Sequence, residues 1–327
     1  MTNLEVVAEL DDLMVSFTAQ DGSDVTVVRG VSLQVQRGKT LGVVGESGAG
    51  KSMLSLCLMG LIPSPGRVSN GSIKLLGRDV HNLSEKEWQK LRGAEVAMVF
   101  QDPMTALNPV RTIGATLISA IRNHQDVSKA DARERAIEVL RSVGMPAPEE
   151  RVLAYPHELS GGLRQRAVIA LALVNSPSVI IADEPTTALD TTIQTQILEL
   201  LRTRVQDSGM VFISHDLGLA SEISDHIAVL YGGRVMEYGT TREVMRDPRH
   251  HYTNGLLKAV PQFTSSTQEL VPIEGTPPSP RNMPPGCPFA PRCAAATEQC
   301  NEIPPLVGTD DHKVACWHPV SREESAS

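Results

Sequence analysis

Val31, Leu33 and Val35 alternate with Ser32 and Gln34, the period of a half-buried strand. Residues 4 to 44 read as strands throughout. Asp21-Gly22 lies between two strand-like runs and predicts a hairpin turn. Asn70-Gly71, before Ser72–Gly77, predicts a second. Val96–Phe100 is an apolar strand ending at Gln101. Val179–Ala182 and Met210–Ile213 are short continuous apolar runs, as buried parallel strands require. Ile227–Tyr231, Gly232-Gly233 and Arg234–Met236 predict a late hairpin.

Between 105 and 175 the period changes to helical. Ser128, with Asp131 three residues on, reads as a capping box. Ala132, Ala136, Leu140 and Val143 follow at helical spacing, and Gly144 and Pro146 stop that helix. No internal repeat is visible. Eight prolines between 271 and 291 predict a stiff linker without regular structure.

Composition narrows the class. At 327 residues and 41% hydrophobic, the chain can build one large domain or two small ones. The apolar run Ala167–Val174 is far shorter than the ~20 residues a membrane helix needs. The first residues carry acidic groups and no basic-then-apolar pattern, so no signal peptide is expected. A cytosolic protein, or one held at a membrane by partners, is the expectation. Thirty basic residues against 38 acidic ones give a net charge of −8, which argues against a nucleic-acid-binding face.

Gly45-Glu46-Ser47-Gly48-Ala49-Gly50-Lys51-Ser52 carries the chemistry. It reads G-x-x-x-x-G-K-S, a phosphate-binding loop, and has the flanks such a loop needs. Thr40–Val44 is strand-like before it, and Met53–Met59 is rich in helix formers after it. Glycines let the backbone curl its N–H groups around phosphate oxygens, and the helix start faces the same anion. Lys51 is expected at the β- and γ-phosphates and the Ser52 hydroxyl on Mg²⁺. In open parallel sheets ligands collect at the carboxyl ends of strands. There, Asp183 can hold Mg²⁺ through its water shell, and Glu184 can orient the attacking water. His215 follows the next apolar strand and can contact the γ-phosphate and that water. Gln101 can sense Mg²⁺ or the γ-phosphate. Phe17 can stack on adenine, or it is a core aromatic.

Leu159-Ser160-Gly161-Gly162-Leu163-Arg164-Gln165 adds a second anion-binding helix start: Ser160 is a natural N-cap, and two glycines permit close approach. The phosphate loop already serves the chain's one γ-phosphate. A second clamp therefore implies a partner subunit whose nucleotide it covers.

Five cysteines are present, four of them after Pro285. Cys57 lies in the helix after the phosphate loop and reads as core. Cys287, Cys293, Cys300 and Cys316 are separated by five, six and fifteen residues. This is loose for structural zinc, and four cysteines also suit an iron–sulfur cluster. Unligated thiols are the third reading. His312 and His318 flank Cys316 and can substitute as ligands.

Taken together, Gly45–Ser52, Gln101, Leu159–Gln165, Asp183-Glu184, Ala188-Leu189-Asp190 and His215 resemble the ATP-binding subunits of ABC transporters. Val99–Pro109, Tyr155–Gly162, Ile181–Asp190 and His251–Leu257 are similar to the peptide importers of the oligopeptide/dipeptide/nickel group. Phe17 stands where a tyrosine is common, and Ala49 where a serine is common; neither change removes a phosphate contact.

The resemblance implies an α/β fold. Its RecA-like P-loop core would carry an antiparallel β part and an inserted helical subdomain at about 102–176. The cassette would span 1–262, and 263–327 would hold the linker and a small cysteine-bearing C-terminal extension. It further implies two ATPase subunits, expected as a heterodimer, closing head to tail around two ATP molecules with Mg²⁺. Ser160, Gly161, Gly162 and Asp190 would serve the shared sites. Two membrane permease subunits and an extracytoplasmic substrate-binding protein would complete the importer, with this chain peripheral at the cytoplasmic face of the cell membrane. Related subunits carry a [4Fe–4S] cluster, and Cys287, Cys293, Cys300 and Cys316 match its pattern, with zinc as the alternative. Nickel or another small solute is an alternative cargo. A soluble ABC ATPase acting on nucleic acid or ribosomes is the alternative function.

Overall fold

The structure, a computed structural model, describes residues 5–187, 189–259 and 272–321. The expected boundary at 262/263, like Ala188, lies outside the described residues. Strands β1 (Val6–Thr18) and β2 (Asp24–Gln36) form the first hairpin, with Gly22 at φ +82° in its turn. β3 (Thr40–Val44) feeds the phosphate loop and the helix Lys51–Leu58. β4 (Gly66–Leu75) and β5 (Arg78–Asp79) follow, then the helix Glu85–Leu91 and β6 (Val96–Val99).

Asn70-Gly71 makes no hairpin; it lies inside β4, where the ladder with β1 shifts register between Asp11 and Met14. Asp12 bulges there at φ +44°, and Asn70 Nδ2 donates to its carboxylate at 2.7 Å. A side chain on Gly71 would meet the Asp11 carbonyl at 2.3 Å, so the glycine serves a close approach. The turn itself comes later, between β4 and β5, where Leu76 and Gly77 both have positive φ.

The helical part holds Pro103–Ala106, Ile113–His124, Lys129–Ser142, Pro148–Arg151 and Gly161–Leu173. Ser128 Oγ accepts from the Asp131 N–H at 3.1 Å and donates to its carboxylate, half of the box expected. A reciprocal box forms instead at Ser84, whose N–H donates to Glu87 at 2.8 Å. Ala132, Ala136 and Leu140 are fully buried, as their spacing requires.

β7 (Val179–Asp183) and β8 (Gly209–Ser214) are buried at every position. β9 (His226–Tyr231) and β10 (Arg234–Thr240) form the late hairpin, and β11 (Val307–Thr309) and β12 (His312–Val314) come from the tail. β2-β1-β4-β5 is an antiparallel sheet. The main sheet runs β11-β12-β10-β9-β3-β8-β7-β6, parallel from β9 to β6. This order brings the carboxyl ends of β3, β6, β7 and β8 to one edge, where their loops meet.

The tail is woven into this body. β12 pairs antiparallel with β10 and thereby extends the main sheet. Cys287 and Phe289 are buried in the same core cluster as Tyr231 and Tyr252. The expected linker, 271–291, has no α-helix or strand among its described residues, but a short 3-10 helix, Ala290–Arg292, begins inside it, and the stretch lies against the cassette: Ile273 packs on the core and Arg29 donates to the Pro280 carbonyl.

Candidate active site

The phosphate loop is held from several sides. A side chain on Gly45 would meet the Leu230 carbonyl at 2.2 Å, and Gly50, at φ +102°, caps the helix that begins at Lys51. The Ala49 carbonyl accepts from the Gly233 N–H at 3.0 Å, tying the loop to the β9–β10 turn. Ser47 and Gly48 are exposed at the mouth. Lys51 is buried, with Nζ donating to the carbonyls of Gly45 at 2.7 Å and Glu46 at 3.0 Å. Burial pushes its ammonium below the usual lysine range, opposed by the charges of Glu184, Asp183 and Glu46.

Asp183 ends β7 at 6% exposure. Ser55 donates to Oδ2 at 3.2 Å, and the Ser52 hydroxyl also bonds this carboxyl. Burial raises its pKa, and Oδ1 is buried without a partner. An orphaned carboxylate oxygen beside a P-loop hydroxyl fits the water shell of Mg²⁺.

Glu184 is the hub. Its backbone is left-handed, φ +46°, a costly conformation for a residue with a side chain. Its N–H donates to the Ile213 carbonyl at 3.0 Å, which fixes it to β8. Oε2 accepts from Gln101 Nε2 and from Thr187 Oγ1, each at 3.0 Å. Oε1 lies 3.1 Å from His215 Nδ1; a carboxylate accepts, so that nitrogen carries the proton. Gln101 and His215, at the ends of β6 and β8, are exposed and flank the Glu184 carboxylate, whose side chain is 16% exposed.

Ser160, Gly161 and Gly162 are not tied to this centre by any hydrogen bond among the described residues. Ser160 is the N-cap of Gly161–Leu173, accepting from the Leu163 N–H at 3.4 Å, and a side chain on Gly161 would meet open space. Buried Gln165 connects that helix to the Glu184 loop, donating to the Pro185 carbonyl at 2.7 Å. Asp190 is exposed and caps Thr191–Arg204, accepting from the Ile193 N–H at 3.0 Å. Phe17 is half-buried on β1, its ring edge against Gly66. Cys57 is fully buried and its thiol is pushed up to about 12, an inert core residue as expected.

Cys287, Cys293, Cys300 and Cys316 line one small cavity. Burial raises the thiols of Cys287, Cys293 and Cys316. His250 lines the same cavity. Its Nδ1 accepts from the Tyr252 N–H at 3.0 Å, so Nε2 carries the ring proton, and that buried N–H has no partner. A tetrahedral zinc–thiolate site, with Zn–S of about 2.3 Å, holds its sulfurs under about 4 Å apart. No three of these sulfurs all lie within 4.8 Å of one another. The four cysteines and the partnerless N–H give this cavity the donors of a metal-bearing group. His318 lines the cavity but bonds Thr297, and His312 bonds Glu237; neither stands in for a cysteine.

Residues the sequence did not single out complete the arrangement. Ser55 lies one turn past Lys51, a spacing that could have drawn attention to it. Tyr252, inside the His251–Leu257 stretch, and Arg292 reach Glu46 from the far end of the chain, contacts that no local pattern reports.

A buried lysine in a phosphate loop, an orphaned Asp183 oxygen and a framed Glu184 carboxylate on a parallel sheet define a P-loop ATPase cassette. A family model for ABC transporters matches residues 28–187, and one for the oligopeptide/dipeptide transporter C-terminal region matches 236–300. The chain is 46% identical to the dipeptide transport ATP-binding protein DppD of Bacillus subtilis, over 99% of this chain and 98% of that one. It is also 46% identical to the oligopeptide transport ATP-binding protein OppD of Salmonella typhimurium, over 96% and 94%. The structure resembles the dimeric post-hydrolysis state of the ATP-binding cassette MJ0796 bound to ADP and Pi, with TM-score 0.64 and 27% identity over 72% of this chain and 99% of that one. The chain therefore belongs to the ATP-binding subunits of ABC transporters, in the oligopeptide/dipeptide group. It is an ATPase. Among the described residues no helix is long and apolar enough to cross a membrane.

Proposed function

We propose that this chain powers the import of oligopeptides or dipeptides, coupling ATP-driven closure of two ATPase subunits to alternating access in two permease subunits. The observation that carries the reading is the Glu184 carboxylate, held by Gln101 and His215 at the end of a parallel strand. Glu184 polarises the attacking water, and His215 steadies the γ-phosphate and that water. Gly45–Ser52 cradles the phosphates with Lys51 on the β- and γ-oxygens. Ser52, Gln101 and Asp183 serve Mg²⁺, which supplies charge neutralisation on the phosphates. Phe17 stacks on adenine.

Ser160, Gly161, Gly162 and Asp190 act on the nucleotide of a second ATPase subunit, expected to be a different chain. The exposure of Ser160, Gly161 and Asp190 supports that assignment. The substrate-binding protein delivers cargo from the far side, and this chain stays at the cytoplasmic face through its permeases. The sequence divides functionally at about 262/263, with the tail carrying a [4Fe–4S] cluster on Cys287, Cys293, Cys300 and Cys316. Four cysteines around one cavity and the partnerless His250 N–H support the cluster. Its role there is to hold the tail in one shape.

The test is reconstitution of the subunit with its permeases in proteoliposomes. ATP turnover stimulated by a peptide-loaded binding protein, and weak in the isolated chain, is the expected result. Stimulation by a nickel chelate or another solute and not by peptides would replace the cargo. Robust turnover by a strictly monomeric sample would sink the shared-site reading.

A further inference from the structure

Glu46 puts a carboxylate into a loop built to hold polyphosphate. Uncompensated, that charge opposes the ligand, and at one-quarter exposure solvent screens it only in part. Arg292, from the tail, meets it in a fork: Nη1 donates to Glu46 Oε2 at 2.7 Å and Nη2 to Oε1 at 3.2 Å. The arginine is almost completely buried, its side chain 6% exposed. All five of its N–H groups are used. Besides the two to Glu46, Nη1 donates to Tyr231 Oη at 3.0 Å, Nη2 to the Ile273 carbonyl at 3.1 Å and Nε to the Glu274 carbonyl at 2.8 Å. The guanidinium also lies over the rings of Tyr231, at 5.7 Å, and Phe289, at 5.9 Å. The same loop residue is gripped through its backbone: the Glu46 N–H donates to Tyr252 Oη at 2.8 Å. The Glu46 carbonyl accepts from Lys51.

We propose that Arg292 is a positioning residue for the phosphate loop: by pairing with Glu46 it cancels the loop's own negative charge and fixes the peptide that orients Lys51. Arg292 is adjacent to Cys293, so whatever orders the cysteine tail also sets the charge at the nucleotide. The proposal rests on the phosphate loop being the nucleotide site and is independent of which group the cysteines hold. Wild-type chain that binds no nucleotide would fail that earlier reading first.

The experiment is calorimetric titration of the full chain with ATP, ADP and AMP. R292A is expected to weaken ATP binding about tenfold, ADP less and AMP least, because the exposed carboxylate repels in proportion to the phosphate charge. E46Q added to R292A is expected to restore affinity, since it removes the unpaired charge. R292K keeps the charge but loses the fork, and is expected to fall between wild type and R292A. Should R292A fail to fold, R292Q, which also removes the charge, carries the same comparison alone and with E46Q. Equal losses for all three nucleotides, or no rescue by E46Q, would mean that Arg292 only holds the tail in place and would overturn the proposal. Unchanged affinity in R292A would do the same.

Discussion

Gln101 Nε2 donates to Glu184 Oε2 over 3.0 Å, joining the ends of β6 and β7 at the carboxylate expected to work on water. The bond leaves a charged oxygen partly paired before any γ-phosphate arrives. An amide so placed can exchange Glu184 for Mg²⁺ or phosphate when nucleotide enters, which ties the helical part, beginning just after Gln101, to the state of the site.

Glu184→Gln is therefore expected to retain ATP while losing turnover by about two to three orders of magnitude, because the carboxylate acts on the water and not in binding. With its partner subunit the variant should accumulate as a closed, ATP-loaded dimer, seen by size-exclusion chromatography. Wild-type turnover in this variant would assign the water to another residue.

Lys51→Ala removes the buried charge facing the phosphates and leaves the carbonyls of Gly45 and Glu46 without their donor. Nucleotide binding is expected to fall below detection in equilibrium titration. Undiminished affinity would remove the phosphate loop from the account.

Anaerobically purified protein is expected to be brown, with broad absorption near ~400 nm and roughly four irons per chain. Replacing Cys293 with serine should strip the colour and the iron together. One zinc per chain with no iron would move the assignment to a mononuclear site, and no metal would leave free thiols.

Phe289 is 4% exposed and wedged among Tyr231, Tyr252 and His250, with ring centroids 5.3 to 5.9 Å away. Phe289→Ala is expected to cost about 3–5 kcal/mol by denaturant unfolding. A loss under about 0.5 kcal/mol would show that Phe289 is not one of the tail's anchors.

The main strands were legible because each buried run obeys its own period: β7 is apolar from Val179 to Ala182 and buried throughout. The candidate site was legible because Asp183-Glu184 follows one such run and Ser214-His215 another. Asn70-Gly71 misled because the dipeptide signals positive φ and not what demands it; here the demand is a neighbour's bulge at Asp12. The tail reads in the sequence as a proline-rich linker and a small cysteine-bearing extension, with nothing to place it beside the phosphate loop. Its anchors, Phe289 on Tyr231 and Arg292 on Glu46, close separations of 58 and 246 residues that no local pattern reports.

β11, the outermost strand of the main sheet, is three residues long and exposed at each. So short an edge offers an incoming strand almost nothing to pair with. Without it and β12, the sheet would end at β10, seven residues with Val235 and Met236 among them and a row of open backbone groups. A chain trimmed before Ile303 would be sticky as well as less ordered, recruiting strands from its neighbours. The β11–β12 hairpin thus closes the edge at which the main sheet would otherwise pair with a neighbouring chain.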